Sequence, residues 1–148
     1  MSLQTDSIFI AALVADTDIM ETIDGRLYGT AIPLPDEDAD NVPVPYLIVT
    51  FDSLQNSAET KDTPFEGDED IVNIGIEVAA PTLASLHSLT QQVRTVVREY
   101  FEGGNASGID DYRFTADAIR YDSLKPCFWQ VLRYQCSTDL NVLDYEQD

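Results

Sequence analysis

The chain has 148 residues, of which 44% are hydrophobic and 24% are charged, and these values are typical of one globular domain with a packed core. They exclude an intrinsically disordered chain. The 27 acids and 8 bases give a formal charge of −19, and so few bases exclude the basic face with which proteins bind nucleic acid tightly.

Two features bear on where the protein is made. The sequence has no apolar run long enough to cross a membrane, so it predicts no membrane-spanning segment. The N-terminal sequence MSLQTDSIF lacks the basic region and the cleavage site of a secretory signal. We therefore expect a protein that is assembled in the cytoplasm.

The first half of the chain contains one predicted helix and three predicted strands. Capping residues followed by apolar residues at helical spacing predict a helix over residues 5–15. A turn at Asp24-Gly25 leads into a short predicted strand at 26–28. The run YLIVTFDSL, at 46–54, is rich in β-formers and predicts the next strand. Strict alternation over 71–79 predicts a half-buried strand, whose core-facing residues are Val72, Ile74, Ile76 and Val78.

The second half opens with the longest predicted helix. Pro81-Thr82 provides its start, and apolar residues then recur at spacings of three and four as far as Phe101. Gly103-Gly104 marks its end. Arg94 and Arg98 lie four residues apart in its second half, and we interpret them as a solvated flank with Glu102 as an ion-pair partner, a ligand site being the alternative.

Two further strands are predicted at 112–122 and 127–142, joined at 123–126. Cys127 and Cys136 are nine residues apart, and this odd separation places them on opposite faces of the last strand. We therefore expect two buried free thiols. Alternate residues of this strand should face the core: Phe128, Leu132, Tyr134, Cys136, Leu140 and Val142.

This order of elements predicts one α+β domain over residues 1–148. We expect a single antiparallel sheet of about four to five strands with two helices packed on one face. The polar segments 35–44 and 55–69 are predicted to be mobile loops, and the acidic end, 144–148, is predicted to be frayed.

An acidic run at 36–40 has the acid spacing of a calcium-binding loop. The sixth position of such a loop requires Gly and is Asn41, and the twelfth requires a bidentate Glu and is Leu47. A second acidic run at 66–70 fits no metal spacing better. The sequence therefore predicts no metal site.

The sequence also predicts no catalytic site. His87 is the one histidine, and we interpret it as a structural residue at the edge of an apolar helix stripe. The two cysteines do not form the close pairs of a zinc site. Gly103 and Gly108 have the spacing of a phosphate-binding loop, but the Lys-Ser/Thr that must follow is absent. We expect neither an enzyme nor a cofactor-binding protein.

The order of several sequence phrases resembles a known family. After the opening amphipathic helix come GRLYGTAIP, PYLIVTF, DIVNIGIEVAA and LASLHSLTQQVRTVVREYF. In this order they are similar to the small tail terminator, or tail completion, proteins of tailed phages and prophages. The resemblance covers residues 8–102, and it includes no catalytic signature.

The resemblance implies a structural role in the virion tail. Such subunits form a ring, usually a hexamer, that ends polymerisation of the major tail tube protein and provides the docking surface for the head completion, or connector, protein. DNA crosses the ring without specific binding, and a lumen lined by carboxylates would repel it.

The candidate subunit-interface or lumen residues are the acids of the two runs: Asp36, Glu37, Asp38, Asp40, Glu66, Asp68, Glu69 and Asp70. The alternative interpretation is a small-molecule-binding or regulatory domain of ferredoxin-like architecture, in which helices and strands follow a similar order.

Overall fold

The structure, a computed structural model, describes residues 4–29, 43–56, 69–104 and 109–139. These ranges hold three helices and six strands, and the sheet is mostly antiparallel. The predicted α+β class is therefore confirmed, with one more helix and at least one more strand than expected. The elements are α1 (Thr5–Val14), α2 (Thr17–Thr22), β1 (Leu27–Tyr28), β2 (Tyr46–Asn56), β3 (Glu69–Ala80), α3 (Leu83–Glu102), β4 (Ile109–Ala116), β5 (Arg120–Asp122) and β6 (Cys127–Asp139).

The strands follow the order β1-β2-β3-β6-β4, and β5 also pairs with β6. β1 runs parallel to β2, and all the other pairs are antiparallel. The central pair, β3 with β6, is in continuous register from Glu69↔Asp139 to Ala80↔Phe128. β1 therefore forms one edge of the sheet, and β4 and β5 lie at the opposite edge.

One face of the sheet, which we call the covered face, packs against α1 and α3. The predicted core residues of β3 are all fully buried there, which confirms the alternation. Phe9 of α1 contacts the rings of Phe101 and Tyr134 at centroid distances of 5.5 and 5.1 Å. Each fully buried side chain of this size contributes about 1.5–3 kcal/mol, so the covered face supplies most of the stability.

Side-chain hydrogen bonds define the start of α3, and two glycines follow its end. The Ser85 N–H donates to Thr82 Oγ1 at 3.1 Å, and the Thr82 N–H donates back to Ser85 Oγ at 3.1 Å. This capping box satisfies two otherwise unpaired donors and confirms the predicted start. The helix ends ahead of Gly103, and Gly104 adopts a left-handed φ of 75°.

One prediction was wrong in detail, and one helix was not predicted. Residues 112–122 form two strands, because the chain leaves the ladder at 117–119 and the Asp117 N–H donates to the Val131 carbonyl. α2 was not predicted, since its six residues are too short to show a period. It is capped by Asp16, whose Oδ1 accepts a bond from the Ile19 N–H at 3.1 Å.

Both cysteines are buried free thiols, which confirms that prediction. Burial raises the pKa of the Cys136 thiol to about 12, so it stays protonated at neutral pH. Leu140, Val142 and the predicted frayed end lie outside the described residues, as do most of the two predicted loops. Gln55, Asn56 and Glu69, at the ends of the second predicted loop, belong to strands.

Candidate functional site

Most of the acidic candidates fall outside the described part of the chain. These are Asp36, Glu37, Asp38, Asp40, Glu66 and Asp68. The other two begin β3, where Glu69 is exposed and Asp70 is only 5% exposed. Asp70 Oδ1 accepts a bond from Asn56 Nδ2 at 2.8 Å, so this carboxylate ties the end of β2 to β3. The role of the eight acids in a contact or a lumen stays a prediction.

The second face of the sheet carries the alternate side chains of the same strands, and no helix of the described ranges packs on it. We call it the open face. It carries half-exposed apolar side chains beside paired polar ones. Its members include Ile48, Thr50, Asp52, Gly75, Glu77, Trp129, Val131 and Arg133.

A cluster of charged side chains around Arg133 occupies the middle of the open face. Arg133 binds the Asp117 carboxylate through two nitrogens, at 3.0 and 2.8 Å, and its Nη1 lies 3.3 Å from Asp52 Oδ2. Gly75 lies directly opposite Arg133, and a Cβ there would come within 2.9 Å of both Thr50 Oγ1 and Asp52 Oδ2. The absence of a side chain at Gly75 therefore leaves room for the side chains of Thr50 and Asp52. The hydrogen bond from Arg133 lowers the pKa of Asp117.

A second polar cluster lies near the end of the same face. The Tyr46 hydroxyl donates to Glu77 Oε2 at 3.3 Å, and Lys125 Nζ lies 4.7 Å from the centre of the Tyr46 ring. Burial raises the pKa of Glu77, while the Tyr46 hydrogen bond and the Lys125 charge oppose that rise. Burial also raises the pKa of Tyr46. These groups bind one another.

A groove runs between α3 and the edge strand β4. Its wider part has a volume of about 470 Å³ and is lined by Arg94, Arg98, Asp111, Tyr112, Phe114 and Tyr134. A second part of about 300 Å³ shares Arg94 and Phe114 with it and extends to His87 and Ile119. We call the two parts together the α3–β4 groove. His87 is exposed there, on the polar flank of α3.

The two arginines of this groove have no acidic partner within the described ranges. The Arg94 guanidinium lies 4.4 Å from the centre of the Phe114 ring, and neither it nor Arg98 has a described carboxylate oxygen within 4 Å. The predicted ion pair between Arg98 and Glu102 is therefore not formed. Below them, the Tyr134 hydroxyl is buried with no hydrogen-bond partner in the described part. The groove thus contains two guanidinium groups with no described acidic partner, above a fully buried hydroxyl with no described hydrogen-bond partner.

Metal sites and membrane spans can be assessed over the same residues. Among the residues that the structure describes, no group of three or more His, Cys, Asp or Glu side chains is placed to hold a metal ion. No helix within the same ranges combines the length and the apolar character needed to cross a bilayer.

The α+β fold of this chain recurs in solved structures, and two of them are phage or phage-like proteins. One is a chain of the virion of a native gene transfer agent particle, with a TM-score of 0.56, 13% identity, and 90% of this chain and 93% of that chain covered. The other is bacteriophage SPP1 gp17 protein, with a TM-score of 0.51, 14% identity, and coverage of 93% and 91%. No family model matches the sequence, and no curated protein matches it. At these identities the likeness shows a shared fold over nearly the whole of each chain.

Proposed function

We propose that the chain is a structural protein of a phage-like particle. It forms a ring, a hexamer of the terminator type, at the head-proximal end of the tail tube, where it ends tube polymerisation and joins tail to head. The observation that carries the proposal is the fold shared with a gene transfer agent virion chain and with SPP1 gp17, which spans at least 90% of every chain compared. The sequence phrases that resemble tail terminator proteins support it independently.

The surfaces of the subunit suit assembly better than chemistry. The polar groups of the open face bind one another, as in the clusters around Arg133 and Glu77. Side chains so occupied are poor candidates for a nucleophile or a general base, whereas half-exposed apolar neighbours such as Ile48 and Val131 suit a packing surface. The proposed partners are other copies of the chain, the tail tube protein and the head completion protein.

The acidic composition fits a ring that DNA crosses. A subunit charge of −19 disfavours retention of phosphate, so a duplex would slide through a carboxylate-lined lumen without binding. The same charge makes neighbouring copies repel one another at low ionic strength. Salt and divalent cations screen that repulsion, and we therefore expect assembly to depend on them.

Light scattering and negative-stain microscopy of the purified protein test the proposal. We expect closed rings at high NaCl or with Mg²⁺, fewer rings at low salt, and rings seated on one end of tubes made from the tail tube protein of the same particle. A protein that stays monomeric in every condition and does not bind such tubes would contradict the proposed function. Rings that are equally stable at low and high salt would contradict only the electrostatic part.

A further inference from the structure

We infer that the α3–β4 groove is one half of the contact between neighbouring copies, and that it receives the acidic run 36–40 of the next copy. The inference rests on the proposed ring, because it names the surfaces through which the ring closes. It is carried by the unpaired donors of the groove, by the distribution of charge along the chain, and by the positions of the two sheet edges.

Two arginines line the groove. Six of the eight bases lie between residues 94 and 133, and two of them, Arg94 and Arg98, line one cavity of about 470 Å³ together with a single acid, Asp111. A guanidinium is a planar fork of donors that matches a carboxylate. Because no described carboxylate oxygen lies within 4 Å of either guanidinium group, both groups remain available to an external acid.

Tyr134 provides a second and independent indication of a ligand. Its side chain is 1% exposed and lines the same cavity, yet its hydroxyl has no hydrogen-bond partner among the described residues. Buried hydroxyl groups are nearly always paired, so an unpaired one needs an explanation. Because the hydroxyl is fully buried, a carboxylate oxygen that enters beside Arg94 would accept this hydrogen bond only after the side chains above the hydroxyl move.

The acidic run lies in the connection between the strands of the opposite edge. It has four acids in five residues, and it joins β1 to β2, whereas the groove borders β4. The connection of 17 residues between Tyr28 and Tyr46 can extend at most about 25 Å from its anchors. The two parts of the chain also differ in charge. Residues 1–80, which include the acidic run, hold 17 acids and 2 bases, whereas residues 81–148, which include the groove, hold 10 acids and 6 bases.

This placement matches the geometry of a closed ring. Unlike patches at opposite edges of a subunit form head-to-tail contacts, and such contacts generate a ring when the rotation closes. The acid-rich edge of one copy then meets the basic groove of the next. The groove accordingly favours a second copy of this chain as its occupant, because that copy carries the complementary charge at the complementary edge.

Paired charge reversals test the contact. The groove variant is Arg94→Glu with Arg98→Glu, and the run variant is Asp36→Lys with Asp38→Lys and Asp40→Lys, which makes the run positive. Each alone places like charges across every contact, so the protein concentration at which rings form should rise at least about tenfold in light scattering. An equimolar mixture should form rings again, because alternating copies restore opposite charges at each contact. One chain that carries all five substitutions should also form rings, and its formal net charge differs from that of the wild type by only two.

The matched control is Arg113→Glu with Arg120→Glu, which changes the net charge equally at the same edge but outside the groove. It should assemble at nearly the wild-type concentration, and thermal unfolding should show that every variant is folded. Wild-type-like rings of the groove variant, or a control that impairs assembly equally, would overturn the groove contact and leave the ring intact. Failure of the mixture to recover would also overturn it, because the groove would then bind something other than the acidic run of a neighbour. A wild-type protein that never self-associates would overturn the proposed function together with the contact.

Discussion

The two faces of the sheet are built from the same strands and differ in almost every physical respect. On β3, Ile76 is fully buried under the helices, while the next residue, Glu77, binds Tyr46 on the open face. The covered face is mainly aliphatic and aromatic, with the buried polar pair Asp70 and Thr138 at one end. The open face combines half-exposed apolar side chains with ion pairs and a glycine that makes room for them.

This difference separates what holds the domain together from what is available to a partner. Removal of apolar area from water accounts for the covered face without reference to function. A solvated surface needs neither the packing around Gly75 nor the bidentate ion pair of Arg133, so the open face is more ordered than solubility requires. We expect stability to depend on the first face and ring assembly on the α3–β4 groove.

The largest effect should come from truncation on the covered face. Ile76→Ala leaves a cavity among fully buried neighbours and should lower the free energy of unfolding by about 2–5 kcal/mol. Ile48→Ala, on the half-exposed open face, should cost less than half as much. Urea unfolding of the two variants measures the difference. Equal losses would show that the open face is as much a part of the core as the covered face.

An intermediate effect is expected at Gly75. Gly75→Ala would place a methyl group within 2.9 Å of Thr50 Oγ1 and Asp52 Oδ2, and overpacking of this kind costs about 1–3 kcal/mol. Thr50→Ala should recover part of the loss in the double variant, because it removes one of the two close atoms. A double-mutant cycle by thermal unfolding measures this coupling. Additive losses would mean that the open face adapts freely at this point.

The smallest effect concerns two carboxylates of the open face with opposite pH dependence. Burial raises the pKa of Glu77 above its usual value, so its protonated form is favoured and its contribution to stability is lost as pH rises through the raised value. The hydrogen bond from Arg133 lowers the pKa of Asp117 below its usual value. The contribution of Asp117 is therefore present at neutral pH and is lost as pH falls through the lowered value.

A carboxyl ¹³C NMR titration should therefore give the higher midpoint for Glu77 and the lower one for Asp117. Glu77→Gln, which cannot ionise, should gain stability relative to the wild type as pH rises from about 4 to about 7, because only the wild type then has to keep a charge in this half-buried position. Urea unfolding at the two pH values measures that gain. Midpoints in the reverse order would mean that the two polar clusters are not formed in solution.

Much of the fold could be predicted from the sequence, because the signals were local. The alternation of β3 and the apolar stripe of α3 each extend over many residues, and a period of that length is unambiguous. The short helix α2 could not be found, since it buries only Ile19. The break between β4 and β5 depends on a bond from Asp117 to a distant strand, and no local pattern indicates it.

The candidate surfaces were less predictable. The spacing of Arg94 and Arg98 was visible, but the contact of Arg94 with Phe114 joins elements that are distant in sequence. Tyr134, whose hydroxyl has no hydrogen-bond partner in the described ranges, is a plain core residue in the alternating pattern of β6. Contacts of this kind depend on tertiary packing, and one sequence alone does not specify them.

The bulge in β2 has a consequence for comparison with distant relatives. Phe51 pairs with Ile74 and Ser53 pairs with Asn73, so Asp52 is an extra residue with no partner in the ladder. It shifts the alternation by one position, and Leu54 therefore packs against the core. A relative without this bulge aligns correctly only with a one-residue gap at Asp52. An ungapped alignment would pair every later core position of the strand with a solvent-facing one, whereas deletion of Asp52 itself would leave Phe51, Ser53 and Leu54 in regular alternation on their present faces.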